Sequence, residues 1–129
     1  MAKIGSHRDL TVWTKAMDLA VATYGLAKGF PRTEIYGLTA QVTRAAVSVP
    51  ANIAEGNARG TRRDYAKFLS IAKGSLMEVE TYVLLAVRLG YSSDADAESA
   101  LALITEISKM LTVLRRRLLE EREQVRGNR

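Results

Sequence analysis

The chain has 129 residues and a mass of 14.2 kDa, the size of one domain able to bury its own core. With 47% apolar and 26% charged residues it is too apolar to be disordered, and having no cysteine it excludes disulfides, thiolate nucleophiles, zinc–thiolate sites and iron–sulfur clusters. The single histidine, His7, excludes a Ser-His-Asp triad inside the fold and any His-pair metal centre, and a net charge of +5 attracts polyanions only modestly unless it is clustered.

Two prolines in the whole chain, Pro31 and Pro50, point to long helices. The first predicted helix runs from about Asp9 to Lys28 and stops at Gly29 and Pro31. Asp9 is its expected cap, or a first-turn carboxylate. Leu10, Trp13, Met17, Ala20, Tyr24 and Ala27 recur at helical steps and form its expected apolar face.

The second is expected to start at Thr33 as N-cap, with Glu34 in the first turn, and to end near Glu55 at Gly56 and Asn57. Leu38, Val42, Ala45, Val49 and Ile53 form its stripe. Pro50 lies inside and predicts a kink or a break, since its ring removes one donor and crowds the carbonyl of Ala46.

The third opens after Thr61 and reaches about Leu89, stopped by Gly90, with a stripe from Tyr65 and Phe68 through Leu76 to Val83 and Ala86. The fourth starts near Ser93 or Asp94 and continues to about Glu120. Asp94, Asp96 and Glu98 suit its positive end, and Arg115, Arg116 and Arg117 suit its closing turns. Ala97, Leu101, Ile104, Ser108, Leu111 and Leu118 are its stripe, with Ile107 and Leu114 beside it.

Connections of roughly 3 to 6 residues join these segments, as in helix pairs packed side by side. The fold class is therefore all-α, an antiparallel up-down-up-down four-helix bundle. Residues 1–129 read as a single bundle domain with a frayed basic tail at 121–129. No apolar run of about 18 residues is present to span a membrane, and the opening MAKIGSHRDL lacks the apolar stretch of a secretion signal, so the expected compartment is the cytoplasm.

Catalytic chemistry has little to stand on. No Glu-x-x-His pair exists for a dinuclear metal site, and Glu78 and Glu80, two apart, point in different directions on a helix. The turn AEGNARGTRRDY has glycines but no phosphate-loop Lys-Ser/Thr, and reads as a helix stop followed by a helix start. We expect neither an enzyme nor a bound metal or cofactor.

Three features bear on partners. Gln41, Ser48, Asn52 and Glu55 share one arc of the second helix beside Ala45, Ala46, Ala51 and Ala54. Such a row predicts a hydrogen-bonded seam, within the bundle or between subunits, rather than a ligand site. Between Arg44 and Lys73 the chain carries Arg44, Arg59, Arg62, Arg63, Lys67 and Lys73 against only Glu55 and Asp64. Gathered at one end of a bundle, these would contact nucleic-acid phosphates, of RNA or DNA, without reading bases. A second cluster, Arg115, Arg116, Arg117, Arg122, Arg126 and Arg129, is diluted by Glu120, Glu121 and Glu123. The plain alternative for both is a solvated face, and no aromatics interleave with the basic residues to stack on single-stranded bases. Met77, Leu84 and Leu85 point away from the third helix's stripe and suggest self-association, or a protein partner in place of a nucleic acid.

The strings FPRTEIYGL and QVTRAAVSVPANIAEGNARGTRRDYAKFLSIAKGSLMEVETYVLLAVRLGY, with the earlier DLTVWTKAMDLAVATY, resemble the four-helix bundle family called 23S rRNA intervening-sequence proteins. The resemblance covers roughly residues 8 to 118. It is most specific at Phe30-Pro31 with Glu34, at Ser48-x-Pro50-x-Asn52-Ile53-Ala54-Glu55-Gly56, and from Phe68 to Glu78. It implies a ring-shaped homopentamer and no enzymatic activity. It also implies a distant likeness to the nucleic-acid-binding accessory protein of diversity-generating retroelements.

Overall fold

The computed structural model describes residues 6–127, with the side chains of Asp9 and of residues 121–127 outside that description. Four α-helices carry the fold: α1 (Thr11–Ala27), α2 (Leu38–Ala58), α3 (Arg62–Arg88) and α4 (Asp94–Gly127). Single 3-10 turns lie at His7–Asp9 and Arg32–Glu34, and no strand occurs among the described residues.

The order around the bundle follows the chain, with α4 closing against α1. Ser48 meets Ser75 and Asn57 meets Tyr65, so numbers rising along α2 fall along α3 and the two run antiparallel. Lys73 meets Thr112 across the short α3–α4 turn. Lys15 pairs with Glu106 at 2.7 Å, while Leu10 shares a groove with Leu114 and Gly29 one with Asp96, so α1 and α4 are antiparallel too. This is the up-down-up-down bundle expected from four helices joined by short connections.

The core is aliphatic: Leu19, Val42, Val49, Ile53, Leu69, Leu76, Ile104 and Leu111 are essentially inaccessible to water. Each such side chain contributes about 1.5–3 kcal/mol by leaving water. The stripes expected on the second and third helices are the buried ones, apart from half-buried Tyr65 and Phe68 at the α3 start. On the fourth helix, Ile107 proves fully buried while Leu101 and Leu118 are half-buried.

The first helix is rotated from expectation. Val12, Ala16, Leu19, Ala20, Thr23 and Ala27 face the core, whereas Met17 and Tyr24 are 41% and 50% exposed. α1 is apolar on more than one side, so its own sequence does not select a face; the fit to its neighbours does. Thr23 is tolerated inside because its hydroxyl donates to the Leu19 carbonyl at 2.8 Å.

Helix ends also differ in detail. Leu10, not Asp9, is the N-cap of α1, which has no acidic residue in its first turn. Thr33 does not cap the second helix. Arg32–Glu34 forms a separate turn, Gly37 occupies the N-cap of α2, and the first connection spans residues 28–37, longer than expected. The Glu34 carboxylate reaches forward instead and accepts the Leu38 N–H at 3.0 Å. α2 runs unbroken through Pro50 and past Gly56 to Ala58; the reversal falls at Gly60, whose φ of +86° favours glycine. Thr61 and Ser93 hydroxyls accept the N–H groups of Asp64 and Asp96, fixing the entries of α3 and α4. α4 continues beyond Glu120 to Gly127. Among the described residues no helix is long and apolar enough to cross a membrane.

Candidate functional site

The reversal between α2 and α3 brings four of the six expected basic residues to one end of the bundle. Arg59 follows the last turn of α2, Arg62 and Arg63 open α3, and Lys67 stands one turn further on. All four are exposed. Arg44 is also exposed, but lies about 22 Å away along α2 at about 1.5 Å per residue, where its guanidinium bonds Gln41. Lys73 lies about 9 Å beyond Lys67 along α3 and turns toward α4, donating to the Thr112 hydroxyl at 2.7 Å.

The four are not equivalent. The Arg59 guanidinium sits 4.7 Å from the centre of the Phe68 ring and 3.4 Å from Glu55, so its charge is partly engaged. Arg63 and Lys67 form no ion pair or hydrogen bond with other described residues and present their full charge to solvent. Asp64 is the one acid in the first turn of α3.

The polar row on α2 divides. Asn52 donates its amide to the Ser48 carbonyl at 2.8 Å and to the Ser48 hydroxyl at 2.9 Å, and that hydroxyl lies 3.0 Å from the hydroxyl of Ser75 on α3. This is a seam inside the bundle, as expected for Ser48 and Asn52. Gln41 and Glu55 stand outside it, on the exposed side with Arg44 and Arg59.

Perturbed titrating groups mark packing rather than chemistry. The Leu38 N–H and the Tyr91 hydroxyl hold the Glu34 carboxyl below its ordinary value, and the same carboxylate raises Tyr91. Burial pushes the Tyr65 hydroxyl up, which keeps it neutral. Among the described residues no group of acids and histidines is placed to hold a metal ion.

Sequence reading left Arg115 and Arg116 in a separate cluster. They share a cleft with Lys73 between α3 and α4. Folding the sequence back about the turn at 89–93 puts Lys73 within about one helical turn of Thr112, so the register of the antiparallel pair held a coarse signal. The tie from Glu34 to Tyr91, spanning two connections, had no such local signal.

Fold and site together define an all-α four-helix bundle with a basic end. The chain belongs to the 23S rRNA-intervening sequence protein family, whose model matches residues 8–113. A crystal structure of a protein of unknown function from the S23 ribosomal protein family of Bacteroides thetaiotaomicron is similar, with a TM-score of 0.75 and 28% identity. The match covers 81% of this chain and 97% of that one. No curated protein matches the chain significantly.

Proposed function

We propose that this chain is a non-enzymatic, self-associating bundle protein that binds RNA or DNA through phosphate contacts at the α2–α3 turn. The observation that carries the reading is the exposed surplus of positive charge there, led by Arg63 and Lys67 with Arg62 and Arg59 beside them. Guanidinium and ammonium groups on helix surfaces contact phosphates without reading base edges. Arg44 and Lys73 are flanking contacts. Self-association is supported by Met77, Leu84 and Leu85 on α3, which are 37%, 47% and 43% exposed. In the pentameric ring that the family resemblance implies, the basic ends of several copies sum into one field. A protein of this kind acts in the cytoplasm.

The test is a salt series. Log affinity of the wild-type chain for a duplex of arbitrary sequence falls linearly with log salt, each neutralised phosphate adding about 0.9 to the slope. Absence of binding at low salt overturns the reading. The same exposed apolar residues favour a second reading, a module that recognises a protein. A protein captured by this chain after nuclease treatment and released by Leu84→Lys would support it.

A further inference from the structure

We propose that the cleft between α3 and α4 is a phosphate-binding subsite built by Lys73, Arg115 and Arg116. The inference rests on the proposed function for a polymeric source of the phosphate, and deepens it by assigning a second site.

Lys73 is the anchor. Its stem is partly covered, and its ammonium donates to Thr112 at 2.7 Å in an exposed contact. The Thr112 hydroxyl gives its own proton to the Ser108 carbonyl at 2.9 Å, so it meets Lys73 as an acceptor. An ammonium has three donors, and no other hydrogen bond or ion pair of Lys73 occurs among the described residues. Two donors are therefore left for a ligand. No acid pairs with Lys73 among the described residues, so its charge is open to an anion entering the cleft.

The surroundings suit a phosphoryl group. The cleft is half open, with a volume of about 290 Å³ and with Leu69, Leu111 and Leu119 among its walls. Arg115 and Arg116 line the same cleft, as does the Ser70 hydroxyl, a further donor. The one acid in the lining, Glu120, lies 3.7 Å from Arg116 in an exposed pair, a contact weak enough for a phosphate to displace. Planar guanidinium groups bind phosphate oxygens in pairs, and lysine adds a point charge. The ligand is a phosphoryl group, supplied by a nucleic-acid backbone or by a small phosphorylated compound.

The experiment titrates inorganic pyrophosphate into the full chain at low salt, followed residue by residue by NMR. Saturable shifts at Ser70, Lys73, Thr112 and Arg115 are expected. Arg115→Gln/Arg116→Gln, both exposed positions, should weaken binding about tenfold, and Lys73→Gln by at least as much. The exposed pair keeps the test valid if loss of Lys73 unfolds the chain. Non-saturating shifts spread over all basic residues overturn the inference. A parallel arm repeats the duplex salt series with Arg115→Gln/Arg116→Gln. A slope reduced by about 0.9, one phosphate contact, identifies the backbone as the source. An unchanged slope, with no saturation by pyrophosphate, rejects the cleft while leaving the α2–α3 turn intact. Pyrophosphate saturation without any duplex binding establishes the cleft for small phosphates and rejects the proposed function.

Discussion

Gly56 of α2 lies directly against Phe68 of α3: a Cβ added to Gly56 would stand 2.8 Å from the Phe68 Cβ and 3.2 Å from the Tyr65 carbonyl oxygen. The glycine is what lets the two helices close above their short turn. It is buried inside α2, not a residue that ends the helix.

Gly56→Ala should therefore destabilise the chain by about 1–3 kcal/mol, because both neighbours are held by the α3 backbone. Gly74 provides the contrast. It sits in α3 with nothing within 4 Å of an added Cβ, so Gly74→Ala should gain about 0.5–1 kcal/mol of helix propensity. Urea unfolding of both variants checks the pair. Equal and opposite shifts in the reverse sense would contradict the close approach.

Glu34 joins two connections, accepting from Leu38 at 3.0 Å and from the Tyr91 hydroxyl at 2.9 Å. Its folded pKa lies below the ordinary 4.5, so its contribution is complete above that value and is lost as pH falls through the lowered one. Glu34→Gln should flatten the acid limb of a plot of melting temperature against pH. Tyr91 is shifted up from 10.0, so its contribution is present below pH 10 and disappears as pH climbs through the raised value. Tyr91→Phe should flatten the alkaline limb. Acid and alkaline limbs identical to wild type would show that the tie carries no stability.

Ser48 and Ser75 couple α2 to α3 through their hydroxyls, 3.0 Å apart, with Asn52 supporting Ser48. A double-mutant cycle of Ser48→Ala and Ser75→Ala should return a coupling of about 0.5–1.5 kcal/mol. The cycle removes the helix-propensity gain of alanine from the comparison. A coupling of zero would reduce the seam to accidental proximity.

The stripes of the second and third helices were legible because their polar and apolar positions separate cleanly, from Val42 and Ile53 to Leu76 and Val83. α1 was not legible in the same way. Met17 and Tyr24 are as apolar as the residues that replace them in the core, and only packing against α2 and α4 chooses between the two faces. Thr33 and Glu34 look like the start of a helix, but the chain makes one 3-10 turn and uses Glu34 as a cap from a distance. Gly56 looks like a stop and is a spacer, since a glycine's missing Cβ serves either end without changing the sequence. The basic residues were legible as types. Their division into a turn cluster and a cleft depends on the α3–α4 register, which links Lys73 to residues some forty positions away.

In the proposed function the α2–α3 turn holds a polyanion by charge alone. The most direct measurement is the affinity of wild type and Arg63→Glu/Lys67→Glu for two duplexes of unrelated sequence at one fixed low salt concentration. The same loss, about tenfold or more, is expected on both duplexes. Unchanged affinity, or a loss confined to one sequence, would contradict it.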